Sequence, residues 1–328
     1  MGIIDSLSAG YRLLARRLDL LLLPLLLDGL LWFTPRLGIE PLLGRFVAFY
    51  ADLFAQLGET ADALGPELAD LPAQVTQVMD SAGSSFNLFD LLVNSSLYHV
   101  PSLLVALPGL KTGQTSWSVA SFFNAGSSAL LLGLTGLLLG VAYMNLLARA
   151  VPIGEGEKNV PASRFATALL RHWLRSVGFI LALFLLLLMI YIPTAVAVTV
   201  LMLISPALGA GAMMLMGGLV TVIFFYLYFV TVGLVLDNLT VRAAVMRSIV
   251  LVRHNFWPTL GFFLLTNLIS VGITLLLRQL VTGGAAGLLI SALGNAFVGT
   301  GLALALLIFY RTRLLVSADR MQTRQKQG

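Results

Sequence analysis

The chain has 328 residues, 58% hydrophobic and only 11% charged, with a mean hydropathy of +0.94. A soluble globular domain carries roughly 25% charged residues, so this composition excludes one and makes lipid the main solvent. The net charge of +5 and the pI near 9.7 argue for lipid headgroups and against nucleic acid, because the basic residues flank apolar runs instead of forming one stripe. With no cysteine, disulfides, thiolate nucleophiles, iron–sulfur clusters and cysteine zinc sites are ruled out, and no cofactor is expected.

A basic amphipathic segment, Leu7 to Leu18, opens the chain and leads into an apolar run from Leu18 to Leu37. Arg12, Arg16 and Arg17 before that run resemble a signal peptide, but no small-residue cleavage site follows Phe33, so the run is expected to be an uncleaved first span despite Pro24, Asp28 and Pro35. Asp28 is the one formally charged side chain well inside any expected span. A carboxylate at such depth is by default a candidate functional residue, paired or held protonated. Its alternative is structural, a bond to backbone or polar groups of a neighbouring helix.

Residues 38–126 form an extracytoplasmic insertion too apolar for disorder and too long for a turn. Tyr50, Leu53, Leu57, Leu64, Leu68, Leu71, Val75 and Val78 recur at helical spacing, with breaks expected at Gly58, Gly65-Pro66 and Pro72. The spacing predicts a docked helical cap, or else a surface for a partner or second copy. Leu103 to Leu107 is too short to span and is expected to dip into the membrane interface.

Five further runs are each long enough to span: residues 127–147, 177–204, 212–236, 257–277 and 285–310. Ala129, Gly133, Gly136 and Gly140 form one small-residue stripe for close helix approach, and Gly283, Gly287, Ser291 and Gly294 begin another. Basic amphipathic segments precede two of these runs, at Ala162 to Leu174 and Thr240 to Phe256, giving with Leu7 to Leu18 a surface helix and hairpin used three times. Arg164, Arg171, Arg175, Arg242, Arg247, Ser248 and Arg253 are the residues expected to anchor these segments at headgroups or to couple them to a cytoplasmic partner. Of the twenty Lys and Arg, sixteen fall in alternate segments that include both ends. The positive-inside rule then makes both termini cytoplasmic.

Ala244-Val245-Met246-Arg247-Ser248, followed by Leu251-Val252-Arg253 and Asn255-Phe256-Trp257, resembles the membrane domain attached to some bacterial glycerophosphodiester phosphodiesterases and its stand-alone six-helix relatives. The likeness covers the last two thirds loosely and this segment best. It implies a bacterial inner-membrane domain without phosphodiesterase activity, since no catalytic barrel accompanies it. The long acidic insertion departs from that family.

Enzyme motifs fail. Lys111-Thr112-Gly113 lacks the Ser-x-x-Lys that would give it meaning, and Leu110 stands where a phosphate-cradling loop needs glycine. His99, His172 and His254 share no ligand spacing. The expected protein is therefore an all-α, polytopic membrane protein with six spans, acting as a non-catalytic scaffold or interaction subunit. The alternative is a permease subunit for a lipidic or apolar cargo, served by a separate ATPase and similar to the membrane subunits of ATP-binding-cassette exporters. Candidate partners are membrane lipid, another protein or a second copy. An intramembrane enzyme built on Asp28 is the remaining possibility.

Overall fold

The computed structural model describes residues 2–62, 71–95, 98–107, 110, 116–151 and 165–327. They form an all-α, polytopic membrane protein whose long helices are apolar on nearly every side. Five helical runs have the length and composition to cross a bilayer, with mean hydropathy from 2.0 to 2.7 over their best windows. They are α6 (Phe122–Ala150), α7 (Phe165–Ile204), α8 (Pro206–Tyr226) continued past a broken turn by α9 (Val230–Leu236), α11 (Phe256–Val281) and α12 (Gly284–Gln327). At about 1.5 Å per residue, even the shortest reaches well beyond the roughly 30 Å hydrocarbon thickness.

The expected first span is shorter than its sequence suggests. After α1 (Ile3–Arg16), a four-residue 3-10 turn (Leu18–Leu21) leads into α2 (Leu22–Phe33), twelve residues long. Turn and helix together rise only about 26 Å. Pro24 is tolerated because it sits in the first turn of α2, where its missing N–H leaves no bond unmade. Pro35 ends the helix by pushing Thr34 into extended backbone, with ψ at 136°. Arg36 to Gly38 are then strand β1, not helix. The expected span of residues 18–37 is thus corrected to a helical run ending at Phe33.

α1 makes up for the missing length by packing into the bundle. A Cβ on Gly10 would collide with the backbone of Gly301 and Ala305, and the Tyr11 hydroxyl donates to the Val298 carbonyl of α12 at 3.3 Å. Glycine is required there by the close approach of two helices. From Ala305 to Leu289, against which α2 ends, is about 24 Å along α12. The N-terminal helices therefore climb most of the bundle.

Three features of the insertion differ from expectation. Gly58 does not break α3 (Glu40–Asp62), and Pro72 sits in the first turn of α4 (Leu71–Ser85), where proline starts a helix and does not end one. Gly65-Pro66 lies outside the described residues. The largest difference is at residues 88–102, which turn inward together with Leu103 to Leu107, the part expected to leave the cap for the membrane interface. Leu88, Leu92, Val93, Tyr98, Val100, Leu103 and Leu104 are all buried. A 3-10 turn (Leu88–Leu92), the hairpin β2 (Asn94–Ser95) and β3 (Tyr98–His99), and the short helix α5 (Leu103–Ala106) fold back into the bundle as a re-entrant segment. Gly136 of α6 lets the backbone of Leu91 and Leu92 come close, and Gly299 of α12 makes room for the Pro101 ring. Backbone of this kind is tolerated at membrane depth only where protein surrounds it. The neck of the insertion is closed by parallel pairing of β1 with β4 (Ser116–Ser118), Arg36 opposite Ser116.

The surface segments before the later spans also differ between themselves. α10 (Val241–His254) is a separate helix, as expected, whereas Phe165 to Leu174 continues without a break into α7. α7 and α8 form a hairpin that leaves the bundle: Phe184, Met189 and Val196 of α7 and Met214, Leu215 and Val222 of α8 are exposed. At the hairpin's base Phe225 and Tyr228 pack edge-on against Phe263. Next to them, Phe262 stacks on Phe309 at 4.4 Å, and Phe229 packs against Tyr310. Such aromatic pairs add about 0.5–1.5 kcal/mol each beyond burial, so the core is anchored at this end.

Candidate functional site at Asp28 and the broken helix

Asp28 lies one turn beyond Pro24 on the buried face of α2 and is 6% exposed. Its Oδ1 accepts from the Ser102 hydroxyl at 2.5 Å and its Oδ2 from the Leu103 N–H at 3.0 Å. Ser102 is itself the N-cap of α5, accepting from the Val105 N–H at 3.4 Å. The carboxylate thus satisfies the first turn of the re-entrant helix, which has no water to turn to. The same residue lines a groove of about 490 Å³ between α2, α5 and α12, whose other walls include Leu25, Trp32, Leu104, Leu288 and Leu293. Nothing in the sequence around Asp28 named Ser102 as its partner, because 74 residues separate them.

The second constellation surrounds the break between α8 and α9. Ser248 of α10 is fully buried; its hydroxyl donates to the Tyr226 carbonyl at 2.7 Å and accepts from the Phe229 N–H at 3.1 Å. One side chain thus bridges the two backbone groups that the interrupted helix leaves over. Its neighbour Arg247 donates to Asp237 at 2.6 Å, and the Tyr310 hydroxyl donates to the same Oδ2 at 2.7 Å. Burial works against the Arg247 charge, but Tyr310 and the Asp237 carboxylate outweigh it and hold its pKa above the ordinary value.

Arg175 reaches the same region from α7, donating to the Asn238 side chain at 2.6 Å and to the carbonyls of Asn238 and Leu239. Asn238 has φ +50°, the left-handed conformation that asparagine tolerates better than most residues. His172 is buried between the Asn145 and Asn238 side chains, at 2.9 and 3.3 Å. One turn on, Ser176 meets the Tyr98 hydroxyl of the re-entrant segment at 2.6 Å.

The predicted coupling residues therefore divide. Arg175, Arg247 and Ser248 are spent on internal bonds, the two arginines at Asn238 and Asp237 and the serine at the backbone of Tyr226 and Phe229. Arg171, Arg242 and Arg253 are exposed, and Arg164 lies outside the described residues. Asp28 belongs to neither group and sits at the other constellation. His254 bonds to the Val250 carbonyl of its own helix, away from His172. Among the described residues no three His, Asp or Glu side chains converge as a metal site would require. No protein-family model matches the chain, and no curated protein or solved structure does either.

Proposed function

We propose that the protein is a non-catalytic integral membrane scaffold or interaction subunit. The observation that carries this reading is the α7–α8 hairpin. Its outer part is exposed along both helices, and Gly211, Gly217 and Gly218 have open space where a Cβ would stand. Outward glycines on a helix pair allow close approach of a further helix, which is how membrane helices associate without a hydrophobic drive. The buried polar groups favour the same reading, since they are engaged in holding broken helices together.

The test is purification in native lipid nanodiscs with mass spectrometry of what accompanies the chain. A stoichiometric membrane partner is expected, lost on Gly211→Leu with Gly218→Leu while the helical content is kept. A specific feature favours the permease alternative: Arg242, Met246, Val250 and Arg253 form one exposed stripe on α10, suited to an ATPase. A stoichiometric ATPase released by Arg242→Glu with Arg253→Glu would replace the scaffold reading.

The proposed placement is a bacterial inner membrane with both termini cytoplasmic. The likeness of residues 244–257 to the phosphodiesterase membrane domain supports the first part. The climb of α1 and α2 along α12, added to five long helices, supports both termini lying on one side, and the Lys and Arg in alternate segments assign that side to the cytoplasm. Because the chain has no cysteine, single cysteines report sidedness cleanly. Ser81→Cys should react with an impermeant maleimide from outside, and Ser8→Cys only after permeabilisation; the reverse result would invert the topology.

A further inference from the structure

We infer that the groove between α2, α5 and α12 holds one hydrocarbon chain of a bilayer lipid, seated between α2 and α12 and not merely in contact with the outer surface. Three observations carry this. The groove has about 490 Å³ and ten of its eleven lining residues are apolar or glycine, the proportions of a small-molecule site with a single polar group. It runs from Leu25 to Phe33 along α2, about 12 Å, at the level of Leu288 to Leu293 on α12. That level begins four residues inside the α11–α12 turn, within the apolar part of a membrane-crossing helix.

The groove's surroundings say what fills it. Leu22, Leu26, Leu30 and Phe33 of α2 and Leu289 of α12 are exposed beside it, so its mouth opens on the same apolar surface that meets lipid. Water gains little from such walls, and the one polar side chain, Asp28, turns both oxygens to Ser102 and Leu103. Gly29 supplies the space: a Cβ there would meet no atom within 4 Å, so the backbone of α2 forms part of the wall. A lipid chain is the apolar, elongated molecule present at this depth in quantity. The inference goes beyond the scaffold reading and does not rest on it, since a groove can hold a lipid whether or not the hairpin holds a partner.

The experiment uses the full chain in phosphatidylcholine vesicles containing a phosphatidylcholine with a diazirine in one acyl chain, followed by peptide mapping. Crosslinks should concentrate severalfold at residues 25–33 and 288–293 relative to the equally apolar α7–α8 surface. Gly29→Phe, which fills the groove without meeting protein, should bring that excess down to the hairpin's level while leaving the melting temperature unchanged. If Gly29→Phe fails to fold, Ala292→Phe serves the same purpose from the opposite wall. Equal labelling of groove and hairpin, an excess that survives both fillings, or crosslinks running from the groove to a second protein chain would each overturn the inference. Loss of the hairpin's partner would leave this result untouched.

Discussion

Replacing Asp28 by alanine should destabilise the protein by about 2–4 kcal/mol. The substitution removes one acceptor from each of two buried donors, the Ser102 hydroxyl and the Leu103 N–H, and an orphaned buried donor costs about 1–3 kcal/mol. α5 has only four residues, too few to hold its own first turn once Ser102, its N-cap, and the Leu103 N–H lose their acceptor. Asp28→Asn should be milder, within about 1 kcal/mol of the natural protein. The asparagine carbonyl can still accept from Leu103, and the Ser102 hydroxyl can turn to accept from the new amide.

Thermal unfolding in nanodiscs measures both variants, and labelling of a cysteine at Val105 reports release of the re-entrant segment. The contrast between alanine and asparagine decides the role of the carboxylate. If Asp28→Asn were as damaging as alanine, the charge itself would matter and the cap would be incidental. If neither lowered stability while either abolished an activity, the intramembrane-enzyme possibility would take over. Loss of stability in alanine alone identifies Asp28 as the residue that holds the re-entrant segment in place.

How much of this was legible in the sequence follows from the range of each interaction. The five long helices were, because twenty consecutive apolar residues need no partner to be recognised. So was the separation of α10 from α11, although Pro258 lies two residues inside the latter. The first helical run ends at Phe33, short of Leu37, because Pro35, already visible as an interruption, excludes helix at Thr34. The stripe of Gly287, Ser291 and Gly294 packs against Leu277 to Leu280 of the neighbouring helix, as small residues predict. The α6 stripe was half legible. Gly136 does accept a close neighbour, but that neighbour is the re-entrant turn at Leu91, and Gly133 faces open space. A small residue announces close approach without saying what approaches.

The candidate sites were less legible for the same reason. Asp28 was visible as a carboxylate at depth, and the need for a partner followed from the membrane. Its partners are Ser102 and Leu103, at the start of a run that reads as dipping into the membrane interface, but a run too short to span does not say which helix it meets. Asp237 and Asn238 look like an ordinary end to an apolar run. Only the fold shows that Arg175 and Tyr310, 63 and 73 residues away, converge there with Arg247 from the next helix. Charge on a basic amphipathic segment is normally assigned to headgroups; Arg247 and Arg175 are counterexamples whose positions on the inward face decide the matter.

The junction beside them gives the second large effect. Ser248→Ala should cost about 1–3 kcal/mol, because the Phe229 N–H and Tyr226 carbonyl lose their shared partner in a site with no solvent access. Asp237→Ala should cost about the same, less than a fully buried pair would, since the Arg247 side chain is 40% exposed and water can take over part of the charge. Both side chains hold α10 against the α8–α9 break, Ser248 through the backbone of Tyr226 and Phe229 and Asp237 through Arg247. The double variant should therefore fall short of the sum of its parts by about 0.5 kcal/mol or more. Strict additivity, measured by thermal or denaturant unfolding in one detergent, would mean that the two contacts brace separate elements. Coupling would instead make the broken helix and α10 one mechanical unit. Motion of the exposed Arg242 and Arg253 stripe would then be transmitted directly into the base of the α7–α8 hairpin.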